Sequence, residues 1–315
     1  MKRLGSDRQG FGLILAVVVV LVIIIVLAAL LIVPFRSIPV NESRQAALEQ
    51  GIESLELNVN IDVGEVSVRF VEDEDVAVAL EVSGHHRTGL LGSREPVNIT
   101  WEERTEGDAI IVDADVVLGD SLIPFFSSDI DCTLLISSQL RTALSVSAGM
   151  GGLEVVTSDG VVLTSMDLSV STGGVRATMV DNVTLEGPMS MRATTGGVDL
   201  SWTNVVARDN ASVTLSTTTG GVRAKVEQTE GLGSNLTFTA SANTGGIELE
   251  MNIAGDTSAH VTSTTTLGGV SVQERTGFNG TDTDLRSENY ASESNFETSL
   301  NTGTGGVSLR LRYEA

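Results

Sequence analysis

The stretch VSTGGVRATM, from Val170 to Met179, decides how the rest of the chain is read. Its middle recurs as ATTGGVDL, TTTGGVRA, ANTGGIEL, TTLGGVSV and GTGGVSL. Taking the first glycine of each pair as position zero places zeros at Gly151, Gly173, Gly196, Gly220, Gly245, Gly268 and Gly305. The steps between them are 22, 23, 24, 25, 23 and 37 residues. A period near 23 residues marks an array in which every repeat is one supersecondary unit.

Side chains at fixed offsets give the local structure. Two residues after zero stand Leu153, Val175, Val198, Val222, Ile247, Val270 and Val307. Four after stand Val155, Ala177, Leu200, Ala224, Leu249, Val272 and Leu309. This is period two, a strand with one buried face. Before zero the apolar set is odd. Five before stand Val146, Leu168, Met191, Leu215, Ala240 and Leu300, with Ser263 as the exception, and seven before includes Leu144, Met189, Val213, Phe238 and Val261. A straight strand cannot hold an odd set and an even set on one face, because a slip of one residue flips every side chain. The chain must bend or bulge at Thr-Gly-Gly, where glycine supplies the positive φ or close approach such a corner needs. The expected corner residues are Gly151, Gly152, Gly173, Gly174, Gly196, Gly197, Gly220, Gly221, Gly245, Gly246, Gly268, Gly269, Gly305 and Gly306. An eighth copy lies near the start. In LELNVNIDVGEVSVRF, Gly64 is zero, Glu65 replaces the second glycine, and Leu57, Val59, Ile61, Val66, Val68 and Phe70 keep the same parity.

The outward position three after zero reads Glu154, Arg176, Asp199, Arg223, Glu248. Adjacent strands lie about 4.8 Å apart, so the alternating signs predict a charge ladder that supports register. A charged binding strip is the alternative.

Chemistry-bearing patterns are sparse. A phosphate loop needs Gly-Lys-Ser/Thr opening a helix, whereas an apolar residue and a strand follow each glycine pair. Calcium-binding nonapeptides need a column of Asp, and none recurs. The histidines are His85 and His86, in an expected loop, and His260, on the polar face. Cys132 alternates with Ile130, Leu134 and Ile136 and reads as a buried small apolar residue. No cofactor, no metal site and no catalytic residue is expected. The net charge of -22 makes nucleic acid a poor partner.

Ahead of the array, Phe11 to Val33 carries no charge over 23 residues. That is enough to span a hydrocarbon layer of about 30 Å. An uncleaved signal anchor is expected, with residues 1–10 as a cytoplasmic tail and the β region extracytoplasmic, because Lys2, Arg3 and Arg8 precede the span. A rival reading is a pilin-like subunit, since QGFGLIL resembles a prepilin cut site, although Leu15 stands where that site carries an acid. Six sequons, at Asn41, Asn98, Asn182, Asn210, Asn235 and Asn279, suit an exported domain in a glycosylating host.

The remaining division is 34–53 as a juxtamembrane linker, 54–142 as a β region with loops, and 143–315 as regular repeats. Strands are expected over Val76–Val82, Val97–Trp101, Ala109–Val116 and Asp129–Ile136, with loops near Gly84–Pro96 and Gly119–Ser128. A polar insertion, 276–295, is expected to be a dispensable surface excursion.

The opening VGEVSV, the run ISSQLRTALSVSAGMGGLEV and the Thr-Gly-Gly-Val repeats resemble the putative-adhesin family of β-strand-repeat proteins over about Leu55 to Arg312. The resemblance implies an all-β, β-solenoid-like fold, often membrane-associated, and brings no catalytic residues with it. Gly-Gly stands here where relatives commonly carry Gly-Asp. The expectation is a non-enzymatic, membrane-anchored envelope protein with an adhesive, structural or sensing role, whose partner is a protein or an envelope glycan. A polysaccharide-acting β-helix enzyme is the alternative, and it requires carboxylates clustered on one face.

Overall fold

The computed structural model describes residues 21–22, 36–73, 75–88, 97–119, 129–208, 211–290 and 294–315. It is all-β, with one sheet of 14 strands and one of 11. Strands that lead into the glycine pairs lie in the larger sheet, and strands that lead out of them lie in the smaller. Around Gly196 these are Pro188–Thr195 and Val198–Thr203. Copies pair in parallel and in register, with Met189 beside Val213 and Met191 beside Leu215 on one side of the corner. On the other side Val198 pairs with Val222, Leu200 with Ala224 and Trp202 with Val226. Neither sheet closes on itself.

The core lies between the sheets and follows the sequence columns. In the Gly196 copy, Met189, Met191 and Ala193 are buried before the corner, and Val198, Leu200 and Trp202 after it. The buried set thus switches from odd to even across the glycine pair. Each fully buried Val, Leu or Met side chain contributes about 1.5–3 kcal/mol, so the repeated columns supply the driving force rung after rung. Trp202 meets Phe296 edge-on at 6.0 Å between ring centroids.

The copies do not stack in chain order. In both sheets the sequence of neighbours is Gly64, Gly151, Gly173, Gly196, Gly220, Gly245, Gly305, Gly268. The last copy of the chain is inserted between two that are consecutive in sequence. Ile247–Ala254 and Thr257–Leu267 are joined by a tight turn at Gly255 and Asp256, and the C-terminal strand Val307–Glu314 runs beneath it. Gly255 N–H donates to the Glu314 carbonyl at 3.2 Å, and the Tyr313 hydroxyl donates to the Gly255 carbonyl at 3.3 Å.

Both ends of the stack are finished by irregular strands. Asp129–Ser137 and Ala109–Leu118 extend the array in parallel beside the Gly64 copy. Val76–Thr88 and Val97–Glu106 then pair antiparallel on top of them. The segment 34–53 is not simply a linker: Arg36–Ala47 is an edge strand, paired along its length with Val76–Thr88. Among its described side chains only Val40 and Ala46 are buried, so it carries no period-two apolar signal and is held by backbone pairing. Gly84 to Thr88 likewise continues a strand, and the rest of both expected loops, 89–96 and 120–128, lies outside the described residues. At the other end the polar insertion forms the antiparallel pair Phe278–Thr281 and Asp284–Ser287, which lies against His260–Thr262. Its Phe278 and Leu285 are buried, so this segment covers a sheet edge rather than standing free of the core.

The Phe11–Val33 span lies outside the described residues apart from Leu21 and Val22. Among the described residues no helix is long and apolar enough to cross a membrane.

Candidate functional site: the glycine corner and its groove

At the corner the two glycines have different tasks. Gly196 has φ +143°, and a Cβ there falls onto the carbonyl oxygen of Gly173 in the neighbouring rung. Conformation and space both exclude a side chain. The first glycines form one continuous spine on this rule: Gly64 abuts Ile130, Gly151 abuts Gly64, and the contact passes along to Gly305 against Gly245 and Gly268 against Gly305. The second glycine needs no left-handed φ and no neighbouring backbone atom comes closer than 3.2 Å to a Cβ there, although at Gly152 the Cβ would fall on the Glu65 carboxylate. A Cβ on Gly197 meets nothing closer than the Gly221 carbonyl at 3.6 Å, and Glu65 occupies this position in the first copy. Sequence reasoning grouped the two glycines together; the Glu65 substitution was the signal that separates them.

The backbone ladder runs through the corner with one donor left over. Gly220 N–H donates to the Thr244 carbonyl at 2.9 Å, and Val222 N–H to the Gly246 carbonyl at 3.0 Å. Gly221 N–H, between them, makes no hydrogen bond among the described residues. The same holds for Gly174, Gly197, Gly246, Gly269 and Gly306 among the described residues. At Gly152 the donor is satisfied by the Glu65 carboxylate at 3.0 Å.

Beside the corner the charge ladder stands on the smaller sheet. Arg176 lies 4.0 Å from Glu154 and 3.5 Å from Asp199, and Arg223 lies 3.0 Å from Glu248. Asp199 and Arg223 are register neighbours, but their charged atoms form no ion pair. Arg310 of the inserted copy extends the network to Glu248 at 3.7 Å and Glu250 at 3.9 Å. These side chains are about half exposed, so each pair contributes little individually. The carboxylates alternate with guanidinium groups rather than facing one another across a cleft. Among the described residues no His, Cys, Asp and Glu group is arranged to hold a metal ion.

The remaining ionisable groups are structural in their surroundings. Burial, aided by the neighbouring Asp131 charge, pushes the Cys132 thiol up to about 12, and Ile130, Leu134 and Ile136 are buried beside it. His86 is buried on a strand rather than solvated in a loop, and burial lowers its pKa below the ordinary value. His260 sits between Glu297, 3.1 Å from Nδ1, and Asp284, 3.0 Å from Nε2. The Tyr290 hydroxyl donates to Glu297 at 2.9 Å, which raises its pKa. This cluster ties the end hairpin to the stack. No sequence signal linked its members, which come from three separate segments. Asn41, Asn98, Asn182, Asn235 and Asn279 are exposed, and Asn210 lies outside the described residues.

No protein-family model matches this chain. No curated protein sequence matches it significantly either. Among solved structures it is similar to a putative cell adhesion protein from Clostridium sporogenes, at 11% identity and TM-score 0.39, covering 88% of this chain and 100% of that one. It is also similar to a putative adhesin from Bacteroides fragilis, at 8% identity and TM-score 0.30, covering 86% and 97%. A third is a putative lipid binding protein from Parabacteroides distasonis, at 10% identity and TM-score 0.32, covering 85% and 96%. These neighbours carry adhesin and lipid-binding names rather than enzyme names. At such identities and TM-scores the likeness carries no argument about activity.

Proposed function

We propose that this chain is a non-enzymatic scaffold of the cell envelope, a β-solenoid that displays long columns of identical positions for adhesive or structural contact. The observation that carries the reading is register. Each offset from the first glycine stacks on the same offset in the next rung, from the Gly151 copy to the Gly245 copy. A repeat stack of this kind offers an extended regular surface, and the charged groups along it are spent on one another rather than gathered into a reactive pair. The uncharged span Phe11–Val33 serves in this reading as a single-pass anchor, with the N-terminus cytoplasmic and the β region outside.

Protease added to intact cells tests the placement. The β region is expected to be digested without lysis, and full protection until lysis contradicts the topology. Cross-linking on intact cells, followed by pull-down from native membranes, is expected to recover an envelope protein or glycan. Capture of cytoplasmic proteins alone contradicts the role.

A further inference from the structure

We infer that His260 is a pH-sensitive clip, which holds the end hairpin closed over the edge of the larger sheet while its ring is doubly protonated and loosens when the ring is neutral. The clip goes beyond the envelope-scaffold reading and does not depend on it. The hairpin Phe278–Thr281 and Asp284–Ser287 is the last layer of that sheet. It pairs with the strand Thr257–Leu267 at His260, Val261 and Thr262. Ala259 N–H donates to the Ser287 hydroxyl and Ser263 N–H to the Thr283 carbonyl, both at 3.0 Å. With Phe278 and Leu285 as its buried apolar side chains, this is a short attachment, and one further side-chain contact weighs in the balance.

Both ring nitrogens of His260 meet carboxylate oxygens, Nδ1 that of Glu297 at 3.1 Å and Nε2 that of Asp284 at 3.0 Å. A neutral imidazole has one N–H and one bare lone pair, whereas the protonated ring has two N–H groups. Only the protonated ring donates to both acids. Whichever proton leaves, one carboxylate then faces a lone pair at hydrogen-bond distance, and a charge-assisted attraction becomes a repulsion. The side chain is 17% exposed, so water reaches the ring only in part.

The two acids belong to different layers. Glu297 stands on Ser294–Thr304 inside the stack, and Asp284 stands on the hairpin. Glu297 has a second donor, the Tyr290 hydroxyl at 2.9 Å. Asp284 has Arg286 Nε at 3.8 Å. That arginine belongs to the hairpin too, so it cannot hold Asp284 to the stack in the histidine's place. Arg286 is the register partner of His260 and lies over the Tyr290 ring, 5.2 Å from its centroid. Tyr290 in turn meets the His260 ring edge-on at 5.5 Å between centroids. The hairpin is therefore the layer that gives way. Its opening bares the backbone edge of Thr257–Leu267, the kind of edge on which another strand adds.

The test is amide exchange of the detergent-solubilised full chain at about pH 5.5 and about pH 8, the interval in which histidine is the side chain that ordinarily changes charge. Rates are expressed as protection factors, so that the intrinsic pH dependence of exchange cancels, with Val198–Thr203 as the internal reference. Relative protection over residues 278–287 is expected to fall about fivefold as the pH rises, the contribution of one hydrogen bond. His260→Gln removes the titrating group and should abolish the fall. Asp284→Asn gives the bare nitrogen of the neutral ring an amide N–H to accept, so protection should persist at the higher pH. His86 lies at the other end of the stack, and His86→Gln should leave the fall unchanged. Two results overturn the inference: equal relative protection at both pH values in the wild type, or a fall in His260→Gln and Asp284→Asn as large as in the wild type. If His260→Gln loses the hairpin at both pH values, Asp284→Asn decides, and an undiminished fall there overturns the clip.

Discussion

The carbonyl oxygen of Gly173 occupies the place where a Cβ on Gly196 would stand. That one relationship, repeated along the stack, explains why the first glycine recurs while the second is replaceable. Gly196→Ala should therefore cost about 2–4 kcal/mol, from positive-φ strain and a backbone clash. Gly197→Ala should stay within about 0.5 kcal/mol of wild type. Urea unfolding midpoints of the two variants measure the difference, and equal midpoints contradict the division of labour.

The ladder gives a second test. Arg176→Glu turns the contacts with Glu154 and Asp199 into repulsions. For half-exposed groups on one sheet face this should cost about 0.5–2 kcal/mol at low salt. Near 1 M salt the screening length falls to about 3 Å and the loss should shrink. Restoring alternation with Glu154→Arg and Asp199→Arg should recover part of it. An unchanged midpoint at low salt contradicts the coupling.

Gln228 is fully buried and its side-chain oxygen accepts from Trp202 Nε1–H at 2.8 Å and from Val205 N–H at 3.1 Å. Gln228→Leu keeps the volume and strands both donors. Each buried unpaired donor costs about 1–3 kcal/mol, so the total loss should be about 2–4 kcal/mol. Chemical denaturation checks it, with Gln228→Glu as the variant that retains an acceptor.

His86 predicts a pH dependence. Its folded pKa is depressed by burial, so below about pH 6.5 the unfolded chain binds a proton that the folded chain resists. The stability due to His86 is present above that pH and is lost as pH falls toward 5. His86→Gln should flatten the difference in stability between pH 7 and pH 5 relative to wild type. An identical pH slope in the variant contradicts the assignment.

Much of this architecture was legible in the residues because one face of every strand is buried. Columns such as Val175, Val198 and Val222 expose period two directly, and the parity change across the glycine pair requires a corner whatever the sheets do. The hidden Gly64 copy was readable for the same reason. The stacking order of the last copies was not. The Gly268 copy has Ser263 and Glu274 where the Gly305 copy has Leu300 and Leu311, so it is the weaker core rung and suits the end of the stack, but both copies keep an apolar pair just after the glycines and chain order does not announce the exchange. Non-local contacts add to it: the Tyr313 hydroxyl on Gly255 and Arg312 against Glu274 at 2.6 Å. The end hairpin was hidden because its burial rests on two residues, Phe278 and Leu285, in an otherwise polar stretch. The spare N–H groups at the corner leave no trace in the residues because a backbone N–H has no letter of its own in a sequence.

The inserted copy is the point on which the continuous column and the extended ladder both depend. It is tested by paired cysteines on a Cys132→Ala background. Glu248 and Ser308 are register neighbours, whereas Ser271 lies one rung further on, beside Ser308. Neighbouring strands are about 4.8 Å apart, within disulfide reach, and next-nearest strands about 9.6 Å apart, beyond it. Oxidation of the folded full chain should cross-link Glu248→Cys with Ser308→Cys nearly completely and leave Glu248→Cys with Ser271→Cys open. The reverse outcome, a bridge to position 271 and none to 308, would mean that the copies stack in chain order and would contradict the account.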